Sequence, residues 1–132
     1  MIIGVGNDIL EVARMKRELE EGGSEFRDGV FAAGEIAYCE RKRYPARHYA
    51  ARFAAKEAFF KALGTGLSNG LSWLEVDVQR GPAGEPGLVL SGETARLAKR
   101  RGVERTFLSL THTADLAMAT VVLEGHSTDE AG

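Results

Sequence analysis

Residues 45 to 66 read PARHYAARFAAKEAFFKALGTG. Pro45 suits the first turn of a helix, where its missing N–H costs nothing. The Ala-rich run behind it has the best intrinsic helix propensity in the chain. Gly64-Thr65-Gly66 supplies a stop. The spacing predicts one helix from Pro45 to Leu63, about 28 Å long and able to cross a small domain. Glu57 and Lys61 stand four residues apart and share one face of it.

Upstream, Ile2, Ile3 and Val5 predict a short buried strand that enters a turn at Gly6-Asn7. Asp8 then sits where a helix N-cap would, with Glu11 three positions on as in a capping box. That reading places a helix from Ile9 to about Glu21, ending at Gly22-Gly23, with Ile9, Val12, Ala13 and Leu19 inward. Residues 24 to 32 read as loop or a short helical turn, and Ala33 to Arg41 as a short helix. Downstream, Trp73 to Gln79 and Leu88 to Leu90 predict a hairpin across the glycine- and proline-rich segment 81–87. Ser91 caps a helix that ends at Gly102, and Thr106 to Thr111 and Leu116 to Leu123 predict a second strand pair. Its latter strand is apolar enough to be buried on both faces. The pattern is α+β: a small, mostly antiparallel sheet packed with a long central helix. Residues 1–124 form one domain, and 125–132 are a polar tail expected to be disordered.

The chain has 132 residues, 44% hydrophobic and 27% charged, which are values of a globular domain with its own core. Seventeen Lys and Arg against nineteen Asp and Glu give a net charge of -2, which argues against a nucleic-acid partner. No apolar run reaches the ~18 residues of a membrane span, and the first residues lack a signal-peptide pattern. With a single cysteine, Cys39, a reducing cytoplasm is the expected location. CxxC, HExxH, GxGxxG and GxxxxGK[ST] patterns are all missing from the sequence, so structural zinc, dinucleotide and P-loop readings have no support.

Four features could carry chemistry. Asp8 ends a buried strand, and taken alone is better read as a cap. Glu57 lies among small and aromatic residues and would need a partner if half-buried; the blander reading is a surface ion pair with Lys61. Ser109-Leu110-Thr111-His112-Thr113 ends a strand in hydroxyls and one imidazole. That is an anion site or simply a polar strand end. Arg14-Met15-Lys16-Arg17 and Arg41-Lys42-Arg43 are solvated faces or a basic surface for an acidic partner. Two carboxylates from distant elements suit Mg2+, which takes one or two and leaves its other positions to water and phosphates.

Three blocks now resemble one family: Ile3-Gly4-Val5-Gly6-Asn7-Asp8-Ile9 leading to Arg14; RFAAKEA at 52–58 leading to KALGTG at 61–66; and Ser109 to Thr113 leading to Ala117-Met118-Ala119. Phe31, Glu35, Tyr38 and Cys39 form a weaker fourth. In order, and over residues 2–123, they resemble the holo-acyl-carrier-protein synthases, a branch of the 4'-phosphopantetheinyl transferases. Thr111 stands where that family commonly has serine, which keeps the hydroxyl. The resemblance implies a fold of that type and an Mg2+-dependent transfer of phosphopantetheine from coenzyme A to a serine of an apo acyl carrier protein. Adenosine 3',5'-bisphosphate leaves, and the reaction serves fatty acid biosynthesis. It implies Asp8 and Glu57 as metal ligands, and Glu57, Lys61 and Asp8 as the catalytic set. Glu57, directly or through a metal-bound water, would deprotonate the serine. Arg52, Lys56, Lys61, Gly64, Thr111, His112 and Thr113 would hold the coenzyme A, with Arg14 and Arg17 facing the carrier. It also implies a homotrimer with active sites between subunits. Two alternatives stand beside it: a broad-specificity transferase for polyketide or peptide synthase carriers, and a non-catalytic trimer that only binds coenzyme A.

Overall fold

The computed structural model describes residues 1–67 and 70–127. Its elements follow the order β1 (Ile2–Glu11), α1 (Val12–Val30), α2 (Ala33–Glu40), α3 (Pro45–Leu63), a 3-10 turn (Trp73–Glu75), β2 (Val76–Arg80), β3 (Pro86–Leu90), α4 (Gly92–Arg100), β4 (Val103–His112) and β5 (Leu116–Gly125). β1, β5 and β4 form one antiparallel sheet in that spatial order, and β2 pairs with β3 in a second. This is the expected α+β arrangement. α3 has the predicted bounds, with Pro45 in its first turn and Gly64 in the left-handed conformation (φ 85°) at its end. Among the described residues no helix is long and apolar enough to cross a membrane.

The first segment departs from expectation. Gly6, Asn7 and Asp8 continue β1 as a strand through Glu11 rather than turning into a helix, so Asp8 is no cap. The capping pattern was a coincidence of spacing, because pairing with β5 holds the segment extended, with Asp8 opposite Ala119 and Glu11 opposite Leu116. Ile9, expected inward on a helix, lies 59% exposed on the outer sheet face. α1 starts at Val12 and is interrupted at Gly23, whose φ of 59° and ψ of -150° no helix allows. The expected stop thus survives as a kink, and residues beyond it return to helix.

The reason for an extended β1 is its contact with α3. From Gly4 onward the even-numbered residues of β1 face that helix. A β-carbon at Gly4 would strike the Ala62 carbonyl oxygen. One at Gly6 would strike the Ala58 carbonyl oxygen and lie 2.6 Å from the Ala62 nitrogen and 3.1 Å from the Lys61 β-carbon. Here the two glycines let helix backbone rest directly on strand backbone. Around this contact Ala54, Ala58, Phe59, Phe60, Ala119, Val121 and Leu123 form one apolar cluster. Leu10, Val12, Met15, Phe31, Tyr49, Ala50 and Ala117 form the other.

β5 is buried on one face only. Ala117, Ala119, Val121 and Leu123 are covered, whereas Leu116 and Met118 are 42% and 43% exposed, so burial on both faces is not seen within one chain. β5 also reaches Gly125, whose N–H donates to the Met1 carbonyl, and His126 meets Glu104 at 2.9 Å. The segment read as tail is therefore ordered through its first residues, while 128–132 lie outside the described residues. Ser91 does not cap α4 with its side chain. The Glu75 carboxylate does so, accepting from the Glu93 and Thr94 N–H groups and the Thr94 hydroxyl. Those bonds hold Glu75 below its usual carboxylate pKa, the Thr94 hydroxyl contributing most.

Lys56 is fully buried. Its ammonium donates to Glu35 Oε1 at 2.8 Å, the Trp73 carbonyl at 3.0 Å and the Val76 carbonyl at 2.6 Å. Glu35 also accepts from the Ala32 and Val78 N–H groups. Burial pulls the Lys56 pKa down, and Glu35 works against that shift. All three ammonium hydrogens are engaged and the group cannot reach solvent, so Lys56 is a pin between α3, α2 and β2 rather than a phosphate ligand. Lys56→Met should cost about 3–5 kcal/mol of unfolding free energy by stranding the buried Glu35 charge. Urea denaturation reads this directly, and a loss below about 1 kcal/mol, the value of a surface pair, would contradict the pin.

Candidate active site

Because α3 lies flat on β1, its Glu57–Lys61 face meets the strand at Asp8. Lys61 Nζ donates to Asp8 Oδ1 at 2.7 Å and to the Asn7 carbonyl at 3.2 Å. The Asp8 side chain is 11% exposed and that of Lys61 54%. Glu57, one turn before Lys61, is half-buried. Burial raises its pKa first and the charge of Asp8 adds to that, while Lys61 and Arg14 pull it down. The hydrogen bond to Asp8 raises the Lys61 pKa. The structure thus joins Asp8, Glu57, Lys61 and Arg14 from three elements. Arg17 is exposed on α1, three residues after Arg14.

A second cluster lies on the opposite edge of the sheet. His112 is opposite Ala117 on the edge strand β4, whereas Asp8 is opposite Ala119 on β1. β5 runs between them, so one chain does not bring the His112 turn onto the carboxylates. The His112 ring instead packs edge-on against His48, centroids 4.8 Å apart, and His48 packs against Tyr38 at 5.8 Å. The Arg52 guanidinium lies 4.0 Å over the Tyr38 ring, with Lys42 at 4.5 Å and Arg80 at 5.3 Å. Arg52 is 2% exposed and its Nε has no partner among the described residues. Such cations lower the Tyr38 pKa despite its partial burial, which by itself would raise it. A buried guanidinium facing an aromatic and further cations suits an anion.

Strand alternation places Thr111 beside Met118 on the outer face, opposite to His112. Thr113 shapes the turn: its hydroxyl accepts from the Asp115 and Leu116 N–H groups. Gly64 closes α3, its N–H donating to the Phe60 and Lys61 carbonyls. Sequence reasoning missed Arg80 and His48 as site residues. His48 had one usable signal, its position four residues before Arg52 on the same helix, while nothing in the sequence brought β2 to this place.

The carboxylate pair suits a hard divalent cation. The charge of Asp8 opposes the ionisation of Glu57, while Lys61 and Arg14 favour it. Among the described residues no group of three or more His, Cys, Asp and Glu side chains could hold an ion. The donor set is therefore sparse, as Mg2+ accepts when phosphates and water complete its shell.

Fold and site together define an α+β protein in which a helix face presents two carboxylates and a lysine beside a strand. A family model for the 4'-phosphopantetheinyl transferase superfamily matches residues 4–121, and the chain belongs to that family, whose members are transferases. It is 50% identical over 123 residues to a holo-[acyl-carrier-protein] synthase of Syntrophotalea carbinolica, covering 93% of this chain and 96% of that one. The crystal structure of the Neisseria meningitidis holo-[acyl-carrier-protein] synthase superposes with a TM-score of 0.86 at 31% identity, covering 94% and 99% of the two chains. The Bacillus anthracis synthase in complex with CoA (3',5'-ADP) gives a TM-score of 0.78 at 31% identity over 96% and 99%.

The raised Glu57 pKa fixes the sign of a stability effect. A carboxylate whose folded pKa lies above its unfolded value weakens the fold wherever it is ionised in the native state. Metal-free Glu57→Gln should therefore melt above the wild type at pH 7. The gain should vanish as pH falls through the carboxylate range and the wild-type Glu57 takes up its proton. Adding Mg2+ at pH 7 should raise the wild-type melting temperature and leave Glu57→Gln unmoved. Equal Mg2+ shifts in both proteins would remove Glu57 from the metal site.

Proposed function

We propose that this chain transfers the 4'-phosphopantetheine arm of coenzyme A to a serine hydroxyl of an apo acyl carrier protein, in the cytoplasm and in support of fatty acid synthesis. The observation that carries the reading is the Asp8–Lys61–Glu57 cluster, two carboxylates and an ammonium held on one helix–strand contact. The coenzyme and the 3',5'-ADP named with the Bacillus anthracis relative support the donor and the leaving group.

Asp8 and Glu57 are the residues that would hold Mg2+. When bound, the ion supplies positive charge to the pyrophosphate of the donor. Glu57 would take the proton of the carrier serine. The serine oxygen bonds to the phosphorus that carries the pantetheine arm, that phosphorus loses its bond to the bridging oxygen of the pyrophosphate, and adenosine 3',5'-bisphosphate departs with that oxygen. Lys61 offsets charge on that pyrophosphate. His112 and Arg52 hold the nucleotide phosphates, with Thr113 keeping the turn in shape. Arg14 is exposed and close enough to act on the charge of Glu57, and an acidic carrier with Arg17 as its further contact would approach there.

The working unit in this reading is a homotrimer with each site shared. Val5, Ile9, Phe107, Leu116 and Met118 are 42–59% exposed and lie on one outer sheet face, with Val5 and Phe107 both opposite Val122 and Ile9 opposite Met118. A sheet face that exposes these five apolar side chains suits a second and third copy. It would also bring one copy's His112 turn to the neighbour's carboxylates, which a single chain keeps apart.

Intact-protein mass spectrometry of an apo acyl carrier protein with this protein, CoA and Mg2+ should show the gain of one phosphopantetheine, absent with EDTA. Asp8→Ala and His112→Ala should each lose at least about 100-fold in rate. Mixing the two variants should restore a fraction of the activity, since some sites then draw both intact halves from different subunits. Wild-type rates in Asp8→Ala would overturn the site, and no recovery on mixing would overturn the sharing. Binding of CoA without transfer to fatty acid, polyketide or peptide carriers would leave a binding module instead.

A further inference from the structure

His48 has no part in the reaction as derived so far, yet it occupies the middle of the anion-binding cluster. It lies at the start of α3, half-buried, between the Tyr38 ring of α2 and the His112 ring at the end of β4. Arg52 stands one helical turn further along the same face.

An imidazole that acts on a ligand needs its ring plane fixed, and proteins do this by hydrogen-bonding its second nitrogen to a carboxylate or carbonyl. His112 lacks such a bond. Among the described residues no hydrogen bond is made to a ring nitrogen of either His112 or His48. His112 is exposed at a strand end, so the edge-on ring of His48, at an interplanar angle of 69°, is what packs against it. His48 is itself held at 68° against Tyr38, the ring that carries the Arg52 guanidinium at 4.0 Å. Three rings from three elements thus form one column, with Arg52 at one end and His112 at the other.

We infer that His48 is a positioning residue: through its edge-on contact it sets the ring orientation of His112, so that this imidazole meets an anionic group of the donor. The inference rests on the proposed role of His112 in holding the nucleotide. Burial, with His112, Arg52, Lys42 and Arg80 around it, pulls the His48 pKa down to about 4. His48 is therefore neutral at pH 7 and acts as a ring, without adding a charge that would repel Arg52. The aromatic contact is the functional quantity, and a phenyl ring can supply it.

The test is steady-state transfer from CoA to an apo acyl carrier protein by the full chain with Mg2+. It compares His48→Ala, His48→Phe, His112→Ala and the double variant His48→Ala/His112→Ala. His48→Ala should raise the KM for CoA about tenfold, the size seen when an orienting partner is removed, with kcat changed far less. His48→Phe should return KM to within about twofold of wild type. On the His112→Ala background, His48→Ala should add nothing, because its effect travels through that ring. A wild-type KM in His48→Ala would overturn the inference. So would a full additional rise on the His112→Ala background, which would mark a general packing role. His48→Phe as weak as His48→Ala would also overturn it and make a ring nitrogen a direct ligand contact. Transfer lacking in the wild-type protein would fall on the proposed function first, and on this inference only through it.

Discussion

The site depends on how closely α3 approaches β1. Helices usually sit on sheets through a layer of side chains, but here Gly4 and Gly6 remove that layer and bring strand backbone against the Ala58 and Ala62 peptide groups. Small residues on the helix complete the fit, since Ala54, Ala55 and Ala58 are fully buried. The consequence is chemical as much as mechanical. Lys61 can reach both Asp8 and the Asn7 carbonyl, and Glu57 falls into the field of Asp8. A single β-carbon between the two elements would clash with the α3 backbone and push Glu57 and Lys61 outward from Asp8.

α3 serves both ends of the molecule because its faces are differently employed. One carries Glu57 and Lys61 to β1. Another carries Arg52 to Tyr38, and Lys56 is sunk into the pin with Glu35. A lysine so deeply buried cannot bind a ligand, but it fixes where α2 and β2 stand, and hence where Tyr38 and Arg80 stand. The rigidity of the anion cluster is thus provided by a charge pair that takes no part in it. Arg52, by contrast, has no acidic partner among the described residues, which leaves its charge open to a ligand in a way that the charge of Lys56 is not.

Much of this was legible in the sequence where local rules act alone. α3 announces itself by Pro45, its alanines and Gly64, and the hairpins by their turn residues. Asp8, Glu57 and Lys61 were readable as a set from the family's motifs and meet as expected. Where tertiary contact overrides local preference, the reading failed. Asp8 and Glu11 have the spacing of a capping box, yet pairing with β5 keeps them in a strand. Lys56 and Glu57 are adjacent and both charged, and only packing decides that one is sealed and the other faces the site. Arg80 approaches Tyr38 because β2 lies across α3, a long-range fact that no spacing records. β5 looked buried on both faces because its sequence is apolar on both, although one chain covers only one of them.

The most direct check on this account is the Gly6→Ala variant, measured for fold and for transfer together. Its added methyl would meet the Ala58 carbonyl and the Ala62 nitrogen, so α3 must move outward from Asp8. Overpacking of this kind costs about 1–3 kcal/mol, which a domain of this size survives. The account predicts a protein with a native circular dichroism spectrum and a lowered melting temperature. Its transfer of phosphopantetheine to an apo carrier should fall at least about 100-fold. A folded Gly6→Ala protein working at the wild-type rate would show that the close contact of α3 with β1 is not what assembles the site.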